Sequence, residues 1–347
     1  MKGIILHGGH GTRLRPLTHT GPKQLLPIAN KPMSEYCVET IRDCGISEIV
    51  IIVGGIGSNK VKEYYGDGSK FNVKISYVEQ DEPKGIAHAI NLCRNFVGNE
   101  KFLVFLGDNI IQKSISDISK KFESSDDDAL VLLCEVPNPE RFGIADVKEN
   151  KIVKIMEKPK NPPTNLAVTG IYFLTAKIFD IFSRLKPSWR NELEITDALQ
   201  IMLEENNTVN FEMITDYWKD TGTPDDIINA NGEVLKNMQP YFFGTKDDGV
   251  ELSGNTMIGN DSTIYGNSKI LGPCIIGKNC IIGPNVSVGD NSKLTNCNIQ
   301  NSIIMENCLI DSNMKIRNSI LASNSTITLD NNNDEKVLLL GEGTKIS

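Results

Sequence analysis

Met1-Lys-Gly-Ile-Ile-Leu-His-Gly-Gly-His-Gly-Thr-Arg-Leu-Arg-Pro-Leu-Thr18, followed by Pro22-Lys-Gln-Leu-Leu-Pro27, opens the chain and decides how the rest is read. A short apolar run, Ile4 to Leu6, breaks into Gly8-Gly9-x-Gly11, and Thr12, Arg13 and Lys23 come directly after. That order suits a strand ending in a loop built to hold a phosphate chain. Glycines let backbone N–H groups approach phosphate oxygens closely and tolerate positive φ. Arg13 and Lys23 can then offset the charge that builds up when a phosphoryl group moves. The spacing fits neither standard nucleotide signature. A Walker A loop needs Lys directly after its last glycine, and a dinucleotide fingerprint needs Gly-x-Gly-x-x-Gly with a later acidic residue.

Working outward, 347 residues favour two domains over one. The net charge of -8 argues against a general nucleic-acid or anionic-membrane binder. No basic segment precedes an apolar one at the start, and no apolar run approaches membrane-spanning length, so the expected location is cytoplasmic, with no membrane and no nucleic-acid partner. The eight cysteines, Cys37, Cys44, Cys93, Cys134, Cys274, Cys280, Cys297 and Cys308, form no Cys-x-x-Cys, and no histidine lies beyond His88. A zinc site is not expected; free thiols in a reducing compartment are.

The two halves carry different periods. Up to about Lys236, apolar runs at Ile4–Leu6, Ile49–Val53, Val73–Val78, Phe102–Leu106 and Leu130–Cys134 alternate with amphipathic stretches at Glu35–Cys44, Ile86–Asn95 and Ile115–Phe122. Alternating strand and helix predict a mostly parallel sheet covered on both faces. Ligands in such sheets bind at the C-terminal strand ends, where the Gly8–Arg13 loop and Gly107-Asp108-Asn109 both fall. After about Gln239, apolar residues recur at Ile258, Ile264, Ile270, Ile276, Ile282, Val288 and Leu294. Small residues follow four positions behind, at Ser262, Ser268, Cys274, Cys280, Val286 and Ser292. Ile299, Ile304, Ile310, Ile316, Leu321 and Ile327 continue the pattern. This is the hexapeptide repeat of a parallel β-helix, three repeats to a triangular coil. Cys274 and Cys280 then belong to different walls and form no disulfide.

The pattern Leu6-x-Gly8-Gly9-x-Gly11-Thr12-Arg13-Leu14-x-Pro16-Leu17-Thr18 with Pro22-Lys23 resembles the signature of the sugar-1-phosphate nucleotidylyltransferases. Lys23-Gln24-Leu25 is similar to the form common in their thymidylyl members; guanylyl and adenylyl members tend to have Lys-Pro, and bacterial uridylyl members Lys-Glu-Met. With Asn30-Lys-Pro, Lys186-Pro-Ser-Trp-Arg-Asn-Glu-Leu-Glu-Ile-Thr-Asp197, Trp218-Lys-Asp-Thr-Gly and the repeat tail, the whole chain resembles the long-form glucose-1-phosphate thymidylyltransferases. The resemblance implies a Rossmann-like mixed-sheet nucleotidyltransferase domain over 1–240 and a left-handed parallel β-helix over 247–347. It implies Mg²⁺ as cofactor, dTTP (with UTP as a second nucleotide) and glucose 1-phosphate as substrates, dTDP-glucose and pyrophosphate as products, and a place in dTDP-sugar (rhamnose-type) synthesis. The β-helix is expected to assemble a homo-oligomer.

Residue by residue, the resemblance assigns Leu6, Gly8, Gly9, Gly11, Thr12, Arg13, Gln24, Gln80, Pro83 and Gly85 to the nucleotide. A Gln amide both donates and accepts, so it can read the O4/N3 edge of a pyrimidine. Asp108 and Asp220 match the family's metal-binding aspartates, in keeping with the one or two carboxylates that Mg²⁺ prefers. Asp108, Gly143, Glu157, Lys158, Thr169 and Tyr172 are assigned to the sugar phosphate. Glu192 and Asp197 fit a sugar pocket or a helix start equally. Arg13, Lys23 and Asp108 carry the catalysis in this reading. Arg13 serves the triphosphate and the leaving pyrophosphate, Lys23 the α-phosphate and Lys158 the sugar phosphate. His7 and His10 stand where the family has small residues, and a neutral loop role is expected for both. Two rival readings remain: a uridylyltransferase for glucose or N-acetylglucosamine 1-phosphate, and a non-catalytic scaffold such as the subunits of the eukaryotic initiation-factor exchange complex. The scaffold should lack Arg13, Lys23, Asp108 and Asp220, all of which are present.

Overall fold

The computed structural model describes residues 1–8, 11–237, 241–243, 245–246, 251–253, 256–258, 263–264, 269–271, 274–276, 286–289, 293–295, 298–312, 314–329 and 335–346. Gly9, His10, the repeat positions Ser262, Ser268, Cys280, Ile282 and Ser292, and the expected domain edges at 240 and 247 lie outside the described residues. By their contacts the residues form two compact units: Met1–Gly9 with Ser34–Asp220, and His10–Met33 with Thr221–Ser347.

The first unit is built from β1 (Lys2–Leu6), α1 (Met33–Asp43), β2 (Glu48–Val53), α2 (Ser58–Tyr65), β3 (Lys74–Glu79), α3 (Ile86–Asn91), β4 (Phe102–Leu106), β5 (Asn109–Ile111), β6 (Ala129–Glu135), β7 (Gly143–Lys148), β8 (Lys151–Glu157), β9 (Leu166–Leu174), α4 (Ile195–Glu204), β10 (Val209–Met213) and β11 (Trp218–Asp220). The main sheet runs β8-β7-β9-β4-β1-β2-β3, and β6 joins β9 to β10. Its parallel part follows from the apolar runs. Leu6 pairs with Ile52 on one side and Leu106 on the other, so β1 is central and buried on both faces. One face packs Ile4, Leu6, Val50, Ile52, Phe102 and Val104 under Ile90 of α3 and Leu199 and Met202 of α4. On the other, Gly3 makes room for α1: a Cβ there would sit 2.8 Å from Ile41.

The expectation of a mostly parallel sheet needs correction. Parallel pairing is confined to β4-β1-β2-β3 and to β10 with β6. β9 runs antiparallel to β4, β6 and β7, and β7 to β8. The cause lies in the connections. Lys148 and Lys151 face one another across Glu149 and Asn150, both at positive φ, so a tight turn returns the chain antiparallel where a helical crossover would be needed for a parallel return. The expected helix Ile86–Asn95 is also two pieces, Ile86–Asn91 and Arg94–Val97, because Cys93 leaves helical geometry at φ -92 and ψ 6.

In the second unit, Pro27–Ile28 pairs with Lys31–Pro32 in a short hairpin, which is held to α5 (Pro224–Asn237) where the Ala29 N–H donates to Asn231 Oδ1 at 2.9 Å. The described strands after residue 240 all pair in parallel, in sheets of seven, four, three, two and two strands. One of these sheets carries Ile303 beside Ile320 beside Leu339, another Leu309 beside Thr326 beside Lys345, and another Ile299 beside Ile316 beside Lys336. Ile299, Ile304, Ile310, Ile316, Leu321 and Ile327 form one buried core, so the spaced apolar column points inward. Cys37, Cys44, Cys93, Cys134 and Cys308 are free thiols, and no helix among the described residues is long and apolar enough to cross a membrane.

Phe102 is fully buried and stacks on Phe179 with ring centroids 5.5 Å apart. Phe102→Ala is expected to lower the stability of the first unit by about 3–5 kcal/mol, read as a shifted urea midpoint.

Candidate active site

The carboxylate corner is set by hydrogen bonding around one side chain. β4 ends at Leu106, and the chain turns through Gly107-Asp108 into β5. β5 pairs antiparallel with β11 so that Asp220 lies opposite Asn109, the neighbour of Asp108. Asn109 is 2% exposed. Its amide Nδ2 donates to Asp108 Oδ1 at 2.9 Å, and its Oδ1 accepts from the Trp218 indole at 2.8 Å and from the Gly170 N–H at 3.3 Å. Gly170 sits where β9 loses register with β6 between Val168 and Tyr172. A Cβ on Gly170 would be 2.7 Å from Leu106 and 2.8 Å from Asn109, so the bulge admits only glycine. Asp108 and Asp220 are both half-buried. One carboxylate in the turn before β5 and one at the end of β11 suit Mg²⁺, which takes one or two protein carboxylates and fills its other positions with water and phosphate oxygen. Among the described residues no group of three His, Cys, Asp or Glu residues could hold a metal.

The segments of this unit that the resemblance assigns to the nucleotide also converge. A Cβ on Gly8 would lie 3.5 Å from Gln80 Oε1, so the amide oxygen faces the glycine that follows β1. Gln80 Nε2 and His88 Nδ1 are 3.1 Å apart. Pro83 is exposed. Gly85 takes φ +105, and a Cβ on it would meet the Leu193 backbone at 2.5 Å. Leu193 N–H donates to Lys84 O at 2.7 Å and Leu193 O accepts from Ala87 N–H at 3.1 Å, stitching this segment to the Glu192–Asp197 stretch.

Glu157 centres the third group. It pairs with Gly143 across β7 and β8, and a Cβ on Gly143 would meet Thr196 at 2.5 Å and Glu157 Oε2 at 3.3 Å. Glu157 Oε2 accepts from Thr196 Oγ1 at 2.9 Å, while Oε1 faces Arg190 at 3.2 Å and Lys158 at 3.4 Å. Lys158 follows β8 at φ +40, its N–H donating to Phe142 O at 3.0 Å. Arg190 also reaches Glu192 at 3.0 Å and Glu194 at 3.4 Å. Burial raises the carboxyl pKa of Glu194 and of Asp197 above the ordinary range, and the Glu157 charge adds to both. Tyr172 and Thr169 are buried on β9, and burial pushes the Tyr172 phenol up. Glu192 and Asp197 divide: Asp197 lies in the first turn of α4, whereas Glu192 precedes the helix and binds Arg190. Two residues of this unit escaped the sequence reading, Asn109 and Arg190. Their signals were the Asn after Gly-Asp and the single arginine set beside Glu192 and Glu194.

Gly11, Thr12, Arg13, Lys23 and Gln24 belong to the second unit. Gly11, at φ +55, would place a Cβ 2.9 Å from Thr18, whose Oγ1 donates to Gly11 O at 2.8 Å. Thr12–Leu14 forms one 3₁₀ turn with Arg13 exposed on it, and Lys23–Leu25 forms another after Pro22. Lys23 is half-buried and Gln24 buried.

A model of the family described as nucleotidyl transferase matches residues 2–237, and the chain belongs to that family. A model described as the GMPPB C-terminal domain matches residues 264–347. A low-salt glycan biosynthesis nucleotidyltransferase of Haloferax volcanii is 46% identical over 73% of this chain and 71% of its own length. A glucose-1-phosphate thymidylyltransferase of Streptomyces griseus is 38% identical over 79% of this chain and 77% of its own. A Bacillus anthracis structure described as a glucose-1-phosphate thymidylyltransferase in complex with sucrose superposes with a TM-score of 0.65 at 40% identity, over 70% of this chain and 98% of that one. The chain is thus an enzyme that acts as a sugar-1-phosphate nucleotidyltransferase.

His7 follows β1 with its ring 1% exposed and edge-on to Tyr65 at 6.0 Å. Neither ring nitrogen has a hydrogen-bond partner among the described residues. Burial pushes its pKa down to about 3, against the opposing charge of Asp108. The unfolded chain, with an ordinary pKa near 6.5, therefore takes up a proton that the folded chain refuses. Stability contributed by this difference is unchanged above about pH 6.5 and falls on acidification toward about pH 3, by at most about 1.4 kcal/mol per pH unit. His7→Phe is expected to flatten that acid limb. Urea midpoints from pH 7 to pH 4 test this, and an acid slope equal to the parent's would contradict it.

Proposed function

We propose that the protein transfers a thymidylyl group from dTTP to glucose 1-phosphate, giving dTDP-glucose and pyrophosphate, with Mg²⁺ held by Asp108 and Asp220. The observation that carries the reading is the register of β5 against β11, which sets Asp220 opposite Asn109, the residue that follows Asp108. The Streptomyces relative supports the choice of nucleotide and sugar. So do Lys23-Gln24-Leu25 and the Gln80 amide oxygen beside Gly8, since such an amide suits a pyrimidine edge.

A phosphate oxygen of the sugar phosphate attacks the α-phosphorus, the bond from that phosphorus to the bridging oxygen breaks, and pyrophosphate leaves. The attacking group is already anionic at neutral pH, so no general base is required. Catalysis reduces to in-line positioning of two polyanions and screening of their charge. Bound Mg²⁺ supplies positive charge to the triphosphate oxygens. Arg13 serves the triphosphate and the leaving pyrophosphate, Lys23 the α-phosphate, and Lys158 the sugar phosphate. Glu157, Thr169 and Tyr172 line the sugar, and Gly143 lets it approach the backbone. In the same reading the catalytic domain spans 1–240, and residues 247–347 wind as a left-handed parallel β-helix whose walls associate with copies of the chain. The inward column Ile299, Ile304, Ile310, Ile316, Leu321 and Ile327 supports that winding.

A panel of nucleoside triphosphates with glucose 1-phosphate should show dTTP used best and UTP second, because one methyl group is worth only about 1–3 kcal/mol in a pocket. UTP turned over fastest would move the chain to the uridylyl reading, and a purine triphosphate turned over fastest would end the pyrimidine one. Alanine at Arg13 or Lys23 should lower turnover by about 10²–10³ at an unchanged melting temperature, and so should Asp108→Asn, which keeps an Oδ1 for the Asn109 amide to donate to.

A further inference from the structure

The last described coil of the repeats touches the loop that carries Arg13. A Cβ on Gly341 would stand 3.4 Å from Pro16 O and 3.5 Å from Pro16 Cβ, so the glycine backbone lies against that proline with room for a methyl group and little more. Next to it, Thr20 Oγ1 donates to Glu342 Oε2 at 2.8 Å. Both contacts fall inside the second unit.

Each side of the contact is stiff. The turn Gly341–Thr344 is closed by the Thr344 N–H and Oγ1, which donate to Gly341 O at 3.2 and 2.7 Å. Gly343, at φ +72, donates its N–H to Ser323 O at 3.1 Å, and Ala322 N–H donates to Leu340 O at 3.1 Å, so the turn is pinned to the preceding coil. The loop is a chain of turns: Leu14 N–H to Gly11 O at 2.9 Å, Leu17 N–H to Leu14 O at 2.9 Å and His19 N–H to Pro16 O at 3.1 Å. Leu14, Leu17 and Thr18 are buried, while Arg13 projects exposed from the first turn. Pro16 therefore cannot be pushed without moving the turn that bears Arg13. A displacement of about 1 Å in a positioned group can cost on the order of a hundredfold in rate.

We propose that Gly341 and Glu342 are positioning residues for nucleotidyl transfer: the final coil holds the Gly11–Thr20 loop, and with it Arg13, in working shape. The inference rests on the reading of Arg13 as a triphosphate ligand. It gives the repeat domain a role in the chemistry of its own chain, separate from any assembly of subunits.

Full-length variants test it with dTTP and glucose 1-phosphate. Gly341→Ala should stay within about twofold of the parent, because its methyl meets Pro16 at ordinary contact distance. Gly341→Phe should lower kcat/KM for dTTP at least about tenfold, leaving KM for glucose 1-phosphate unchanged. Thr20→Glu, which sets like charges against Glu342, should lower kcat/KM for dTTP about two- to fivefold at an unchanged melting temperature, and adding Glu342→Lys should restore it. Lys345→Glu, exposed on the same coil, should leave the kinetics unaltered. Parent kinetics in both Thr20→Glu and Gly341→Phe would overturn the inference and leave nucleotidyl transfer standing. So would a loss confined to Gly341→Phe that follows a fallen melting temperature. An unaltered protein that neither turns over nor binds dTTP would overturn the inference and the functional reading together.

Discussion

The amide of Asn109 is the constraint on which the carboxylate corner depends. One buried side chain donates to Asp108 and accepts from the Trp218 indole and the Gly170 backbone. It thereby joins the end of β4, the bulge of β9 and the short strand that delivers Asp220. Buried polar groups left unsatisfied cost about 1–3 kcal/mol each, so the three partners hold each other in register. Aspartate in its place could not donate to Asp108 and would set a second carboxylate against it. Alanine would orphan the indole N–H and the glycine N–H in an apolar interior. The corner is a hydrogen-bonded joint first, and its two carboxylates take their positions from it.

Glycines do comparable work by subtraction. At Gly85 and Gly143 the chain passes so close to Leu193 and Thr196 that a Cβ would collide, and each close pass brings a distant segment against the Glu192–Asp197 stretch. The Gly85 and Gly143 segments of the first unit thus share one backbone scaffold.

Much of this was legible in advance because the determinants are local. Ile4–Leu6, Ile49–Val53 and Phe102–Leu106 are continuous apolar runs, and such runs become strands buried on both faces. The inward column from Ile299 to Ile327 follows from spacing alone. Strand direction was not legible in the same way. β9, Leu166–Leu174, is not among the expected apolar runs, and its antiparallel course depends on which neighbours it meets, a long-range matter. Asn109 escaped for the same reason: nothing near it in sequence announces that its partners come from Gly170 and Trp218. Arg190 sits in a visibly acidic stretch, yet its bond to Glu157 spans 33 residues.

The Glu157 cluster has a consequence for anion selectivity. Arg190 and Lys158 both already rest on carboxylates of the first unit. An incoming anion must draw them away by exchange, so a weakly charged or monodentate ion such as chloride has little to offer in return. In the proposed reading, a phosphate ester, with several charged oxygens and a sugar that can satisfy Glu157 through its hydroxyls, would replace what it displaces. The cluster would then work as an ion exchanger whose resident counterions are its own acids, and it would discriminate by asking a ligand to supply both an anion and hydrogen-bond donors at once.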